Sequence, residues 1–210
     1  PSLSRLPLST VAPAPTTLAE GYGNTADRAV VLYALLKAAG LDPTFILAWR
    51  SDPRVASLRA PLLKCPRRRM FDTVLVRVDT DKGPVYLNDG DQYAAPGTTP
   101  FAGKLGLDAG GKTAPIQPLP GRDGRSVIEY AIRVMENGDA KITFTRKYFG
   151  TAFGSFHRRY AEMPPEQRRR HHRRMLTSLA QSAEPDGELV TKYDTYPGIE
   201  RFTATVTRFA

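Results

Sequence analysis

The stretch GYGNTADRAVVLYALLKAAGL, residues 21–41, predicts a helix that begins in a tight, glycine-rich turn. Asn24 or Thr25 is placed to cap this helix, and Asp27 in the first turn suits the positive end of the helix dipole. Gly40 then ends the helix by supplying a left-handed residue. Apolar side chains occupy almost every side of the helix, so we expect it to be central and buried.

The composition is that of a soluble globular protein, with 41% hydrophobic and 24% charged residues among 210. No apolar run approaches the roughly 20 residues that span a bilayer, so we expect no membrane span. The single cysteine, Cys65, excludes an intramolecular disulfide, and its loop holds no nearby histidine that would make it reactive. The net charge of +9 permits binding to nucleic acid or anionic surfaces without requiring it.

The remaining patterns predict an α+β protein with two modules. Alternating stretches predict strands at 44–50, 71–80, 84–89, 126–134, 140–148, 188–195 and 201–209, with helices at 151–163 and 165–182 between the fifth and sixth of them. Asp81-Lys82-Gly83 and Asn137-Gly138 are hairpin signals. We expect a linker or extended lead-in over 1–20, a core over 21–124 and a β-rich module with two helices over 125–210. The first residue is not Met and the last residues form a strand pattern, so we expect a multidomain fragment with a truncated second module.

Two motifs suggest ligands that their surroundings do not support. The stretch GLDAGGKT, 106–113, matches the phosphate-loop pattern, but three prolines follow it at positions 115, 118 and 120 and prevent the helix that phosphates need. We therefore expect no nucleotide and no other cofactor. In RRRHHRRM, 168–175, a helix would place His171 and His172 about 100° apart, so we expect no shared metal ion.

The basic run also predicts how its helix packs. His172, Met175, Leu176 and Leu179 would share one face of that helix, and the arginines would spread around the rest. A solvated helix face accounts for such a run better than a nucleic-acid contact, because no aromatic or glycine-rich partner accompanies it.

Three motifs in a fixed order resemble the transglutaminase-like, papain-like core of many bacterial proteins. The first is Gly23-Asn24-Thr25-Ala26-Asp27 followed by the apolar helix, and the second is Phe71-Asp72-Thr73. The third is Tyr86-Leu87-Asn88-Asp89-Gly90 followed by DQYAAPG. Order and spacing agree over roughly residues 20–107. The downstream part is similar to the β-rich domain that follows this core in a subset of the family.

The resemblance implies a catalytic site that has lost its reactive groups. The family has a Cys nucleophile where this chain has Thr25, a His base where it has Thr73, and an orienting Asp at Asn88, or at Asp89 if the register shifts by one. A threonine hydroxyl attacks only with an adjacent base, and Thr73 cannot act as one. The resemblance therefore implies a vestigial triad that converges at the start of the 25–39 helix, with Thr25 serving as its cap.

These departures from the family pattern predict a catalytically degenerate domain with a non-enzymatic binding or scaffolding role. Its groove would include Asn24, Trp49 and Asp72 and would hold a peptide or protein partner. The family resemblance implies a periplasmic, cell-envelope or secreted location. Two alternatives stay open: a papain-like cysteine hydrolase or transglutaminase-type enzyme that uses other residues, and a basic module for nucleic acid or anionic surfaces.

Overall fold

The computed structural model describes residues 11–49, 70–88 and 90–209. Within this part, the first of two compact units runs to Gln92 and includes Pro96–Asp123, and the second takes in Tyr93–Ala95 and continues from Gly124. The described residues form four helices and two antiparallel sheets, so the predicted α+β class is confirmed. Cys65 lies outside the described residues, as does the basic loop around it.

The first unit combines two helices with one five-stranded sheet. Its elements are α1 (Ala14–Glu20), α2 (Thr25–Ala38), β1 (Pro43–Ala48), β2 (Thr73–Thr80), β3 (Gly83–Leu87), β4 (Leu105–Asp108) and β5 (Thr113–Pro115). The strands are ordered β3-β2-β1-β4-β5, and every neighbouring pair is antiparallel.

The two faces of this sheet are covered by different parts of the unit. On one face α2 packs against β1, where the rings of Tyr33 and Phe45 stack with centroids 4.4 Å apart. On the other face Ile46 and Leu75 pack with Phe101, which comes from the segment before β4. Strand side chains alternate between faces, so the odd-numbered residues of β1 face α2 and its even-numbered residues face the second cluster.

A helix occupies part of the region predicted to be a linker. Pro13 precedes the helix and a second proline lies in its first turn, which are positions that proline tolerates. The Thr17 side chain is buried, and a Cβ added at Gly23 would come within 2.8 Å of it. The glycine before α2 therefore allows α1 to pack closely, and the linker prediction is wrong for Ala14–Glu20.

The prediction that α2 is buried all round is also wrong. Only Asp27 and Ala29 are buried within this helix, while Leu35 is 55% exposed. A helix that packs on one face of a single sheet buries only the stripe facing that sheet. An apolar sequence on every side of a helix does not specify how many layers cover it.

The second unit combines a sheet with two helices. Its elements are β6 (Arg125–Val134), β7 (Ala140–Phe149), α3 (Gly150–Glu162), α4 (Pro165–Leu179), β8 (Ala183–Pro185), β9 (Val190–Lys192) and β10 (Gly198–Val206). The strands are ordered β6-β7-β10-β8, and β9 also pairs with β10. The Asn137-Gly138 hairpin between β6 and β7 is confirmed, with Gly138 at a φ of 83°.

One face of this second sheet forms the core with the helices. Phe144 of β7 and Phe202 of β10 stack with centroids 5.0 Å apart, and Leu176 of α4 packs against them. The predicted apolar face of α4 is confirmed, because Leu176 is buried and its three companions are half-buried. The arginines at positions 169, 170, 173 and 174 are exposed, as a solvated face requires.

Candidate functional site

The start of α2 is held by a reciprocal pair of side-chain hydrogen bonds. Asn24 is the N-cap, and its Oδ1 accepts from the backbone N–H groups of Ala26 and Asp27 at 2.7 and 3.0 Å. Asp27 Oδ2 accepts from the Asn24 N–H at 2.8 Å, and its Oδ1 accepts from the Ala12 N–H at 2.8 Å. Of the two predicted caps, Asn24 is therefore confirmed and Thr25 is wrong.

Thr25 and Thr73 belong to opposite sides of the first sheet. Thr25 is the first residue of α2 and is exposed. Thr73 pairs with Ala48 in the β1–β2 ladder, so its side chain shares the face of Ile46 and Leu75. The helix packs on the other face, where Phe45 lies. The register therefore points the Thr73 side chain away from α2. The predicted convergence of Thr73 with Thr25 is not observed.

The third position of the predicted triad forms a local turn. Asn88 follows β3, and its Oδ1 accepts a hydrogen bond from the Gly90 N–H at 3.2 Å. Thr73 Oγ1 donates to the Asp72 carboxylate at 3.2 Å, which again is a contact between sequence neighbours. The alternative orienting residue, Asp89, lies outside the described residues. The described polar contacts of these positions are therefore local and join none of the three to another.

The three groove candidates occupy different environments. Trp49 is 6% exposed and packs in a core cluster with Phe71 and Leu105. Asp72 is exposed, and its N–H donates to the Ala48 carbonyl at the end of the ladder. Asn24 is engaged in the cap. The structure thus places the Trp49 side chain in the core rather than on a groove surface.

An apolar pocket of about 300 Å³ lies beside the first turn of α2, within the first unit. Ala26 and Val30 of the helix form one wall, and strand residues that face α2 form the floor. The full lining consists of Val11, Ala26, Val30, Phe45, Leu47, Val74, Leu107, Asp108 and Ala109. Asp108 is the only charged side chain among them, and its Oδ1 is engaged by the Lys112 N–H at 2.8 Å.

The phosphate-loop match forms a β-hairpin. Asp108 and Lys112 close the turn between β4 and β5, with the Asp108 N–H donating to the Lys112 carbonyl at 3.0 Å. Gly111 has a φ of 80° in that turn, and a Cβ at Gly106 would lie 2.7 Å from Cγ2 of Ile46. Turn geometry and close packing therefore account for these glycines, and the next described element after β5 is the strand β6, so no helix N-terminus follows the loop to face a phosphate.

A buried carboxylate in the second unit was not predicted from the sequence. Glu200 is 2% exposed and accepts hydrogen bonds from the hydroxyl groups of Tyr148, at 2.9 Å, and of Tyr160. His171 Nε2 lies 3.0 Å from the Glu200 Oε1 atom. The cluster joins β7, α3, α4 and β10 through one side chain. Burial, reinforced by the Glu200 carboxylate, raises the pKa of both phenols, so they remain protonated donors.

The sequence of β10 contains a signal for the Glu200 cluster, in the alternation of inward-facing and outward-facing residues. The even-numbered residues 198–206 point inward, and Glu200 is the one charged residue among them. A charged residue at an inward position requires partners. Those partners come from three other elements, which is why spacing along the chain does not reveal them.

The basic run of α4 is partly structural. Arg168 Nη2 donates to the Tyr160 carbonyl at 2.6 Å, and its guanidinium lies 5.4 Å from the Tyr193 ring centre. His172 Nε2 is buried without a hydrogen-bond partner among the described residues. Burial, followed by the neighbouring His171, lowers the pKa of His172. Within the described ranges, no three His, Cys, Asp or Glu side chains are grouped as a metal site would need.

Among the helices that the structure describes, none has the length and apolar character to cross a membrane. Comparison with protein-family models, with curated protein sequences and with solved structures finds no match to this chain. The resemblance to the transglutaminase-like core therefore stays a prediction that depends on the three motifs alone.

Proposed function

We propose that this chain is a catalytically degenerate, transglutaminase-like domain that binds an apolar acyl or peptide group without converting it. The observation that carries the proposal is the apolar pocket beside the first turn of α2. Thr25, at the nucleophile position of the predicted motif, adjoins the pocket residue Ala26. A site of this shape would keep the substrate-holding part of an acyl-transfer enzyme without its reactive groups.

The polar groups near the pocket favour binding over chemistry. The Thr25 hydroxyl would need a base within hydrogen-bond reach to become a nucleophile. Thr73 lies on the far face of the sheet, and the carboxylate of Asp27 is occupied by two backbone N–H groups. General-base assistance is worth about 10² to 10⁴ in rate, and neither of these two described side chains is placed to supply it to Thr25.

The size of the pocket limits the ligand class. Ligand pockets span about 300 to 1,000 Å³, so this one suits a short acyl chain or a single large apolar side chain. N-octanoylglycinamide combines such a chain with two amide groups. Its roughly 14 non-hydrogen atoms, at about 0.3 kcal/mol each, give a dissociation constant of about 1 mM.

Methyl-resolved NMR with N-octanoylglycinamide tests this proposal. We expect saturable shifts of the Val30, Leu47 and Val74 methyl signals, while methyl signals of the second unit stay unchanged. Ala109→Trp places a large ring at the exposed rim of the pocket and should abolish those shifts. Ala38→Trp, at the exposed C-terminal end of α2, is the matched control and should leave them intact. Shifts that survive Ala109→Trp, or no saturation by about 10 mM ligand, would refute the proposal.

A further inference from the structure

The outer edge of β6 is long, regular and unpaired within the described part of the chain. Each of its ten residues is exposed, and each is matched with one residue of β7 in an unbroken antiparallel register. An edge of this kind presents backbone N–H and C=O groups that can pair with another strand. Two of the usual protections of an edge are absent here, because β6 contains no proline and its register shows no bulge.

An apolar row of side chains runs along one face of this strand, the face that the helices cover on the neighbouring strands β7 and β10. Ile128, Tyr130, Ile132 and Val134 are 46%, 54%, 52% and 52% exposed. Tyr130 pairs with the buried Phe144 of β7, so the row continues the core of the second unit beyond the helices. Side chains of this kind are typical of an inner strand.

Other sheet edges in the described residues are less suited to pairing. The β3 edge is five residues long and includes Pro84, which has no N–H to donate. The strands β5, β8 and β9 are three residues each. The β6 edge is therefore the one where an added strand can form a long ladder on an apolar face.

The hydrogen-bond directions of β6 restrict how a partner strand can align. The Met135 N–H donates to the Asp139 carbonyl across the hairpin, so the odd-numbered residues direct their backbone groups toward β7. Even-numbered residues, including Tyr130 and Ile132, direct theirs toward the open edge. The residues of an antiparallel partner that lie opposite them must therefore also direct their backbone N–H and C=O groups toward β6.

We infer that β6 pairs antiparallel with β6 of a second copy of this chain, around a two-fold axis at Ala131. This alignment places Tyr130 opposite Ile132 of the second copy, and Ile128 opposite Val134. Both pairs use the backbone groups that point outward, and each pair is apolar on both sides.

The charges on the other face of β6 select this alignment. With the axis at Ala131, Glu129 of each copy lies opposite Arg133 of the other, in the closer, non-hydrogen-bonded type of pair. Arg133 forms no ion pair with any residue in the described ranges, while Glu129 also contacts Lys147 at 2.8 Å. Moving the axis to residue 129 would oppose two Glu129 carboxylates. Axes at residues 130 and 132 would place Glu129 opposite Ala131 and Met135.

Sedimentation of the full chain with charge-reversal variants tests this inference. The native chain should sediment as a dimer at about 100 μM. Arg133→Glu puts four carboxylates at the interface, and Glu129→Arg puts four guanidinium groups there. Each change should weaken dimerisation at least tenfold, an order-of-magnitude expectation for like charges placed directly opposite. Arg174→Glu, on the exposed face of α4, is the matched control and should leave the dimer unchanged.

Mixing the two variants makes the test specific to the alignment. In a mixed pair, both opposed positions again join Arg to Glu, so equal amounts of Arg133→Glu and Glu129→Arg should form a heterodimer with near-native affinity. A monomeric native chain at this concentration would overturn the inference. So would a dimer that responds equally to Arg133→Glu and Arg174→Glu, or two variants that fail to associate when mixed.

Discussion

Replacing Glu200 with methionine should destabilise the second unit strongly, because several donors share that one carboxylate. The Glu200 side chain accepts from the Tyr148 and Tyr160 hydroxyls and contacts His171. Methionine keeps a similar length and removes every acceptor except a weak thioether. Tyr160 is 0% exposed and Tyr148 is 5% exposed, so neither hydroxyl can turn to water.

The magnitude follows from the groups that are left without partners. Each buried, unsatisfied hydroxyl costs about 1 to 3 kcal/mol, so two hydroxyls give about 4 kcal/mol. The His171 side chain is 20% exposed and can be hydrated, so it adds little. Removing the hydroxyls as well, with Tyr148→Phe and Tyr160→Phe, should recover about 3 kcal/mol, because an apolar replacement of all partners is nearly neutral.

Native-state hydrogen exchange of β7 and β10 amides measures this effect in the second unit alone. We expect the free energy of opening to fall by about 4 kcal/mol in Glu200→Met and to rise again in the triple variant. A loss below about 1 kcal/mol for the single variant, or a triple variant that is less stable than Glu200→Met, would show that the two hydroxyls do not depend on Glu200.

Three further predictions concern the cap of α2, the half-buried His172 and the β4–β5 hairpin. Asn24→Ala should cost about 1 kcal/mol in chemical denaturation and Thr25→Ala almost nothing, and the reverse order would show that Thr25 is the working cap. His172 has a lowered pKa when folded, so the unfolded chain binds more protons and stability should fall as pH drops below about 6.5. His172→Phe should flatten this dependence in thermal melts between pH 5 and 7, and an unchanged slope would contradict the assignment. ATP with magnesium should give no thermal shift, whereas micromolar binding abolished by Lys112→Ala would prove the hairpin argument wrong.

Local signals in the sequence predicted the hairpins and the packing face of α4. Asn137-Gly138 specifies a turn through backbone conformations that these residues tolerate, and His172, Met175, Leu176 and Leu179 share a face through helical periodicity. These features depend on residues close together in the chain, so a single sequence suffices to predict them.

The missed features depend on contacts between distant residues or on tolerated exceptions. The helix α1 was missed because its prolines suggested a linker, although proline is well suited to a first turn. The capping box between Asn24 and Asp27 has a sequence signature but depends on both side-chain conformations. The face of the sheet on which Thr73 lies depends on the register of the β1–β2 ladder. A shift of one residue moves a side chain to the other face, and the three motifs do not specify that register.

The pocket beside α2 is proposed to hold an acyl group without converting it, and ¹³C NMR can follow the binding and the absence of reaction together. N-octanoylglycinamide labelled with ¹³C at the octanoyl carbonyl is added in increasing amounts to a fixed concentration of protein. We expect a saturable shift of the carbonyl signal, lost in Ala109→Trp, and no octanoate signal after a day. Release of labelled octanoate by the native chain, abolished by Thr25→Ala, would overturn the proposed function, because it would show that Thr25 acts as a nucleophile.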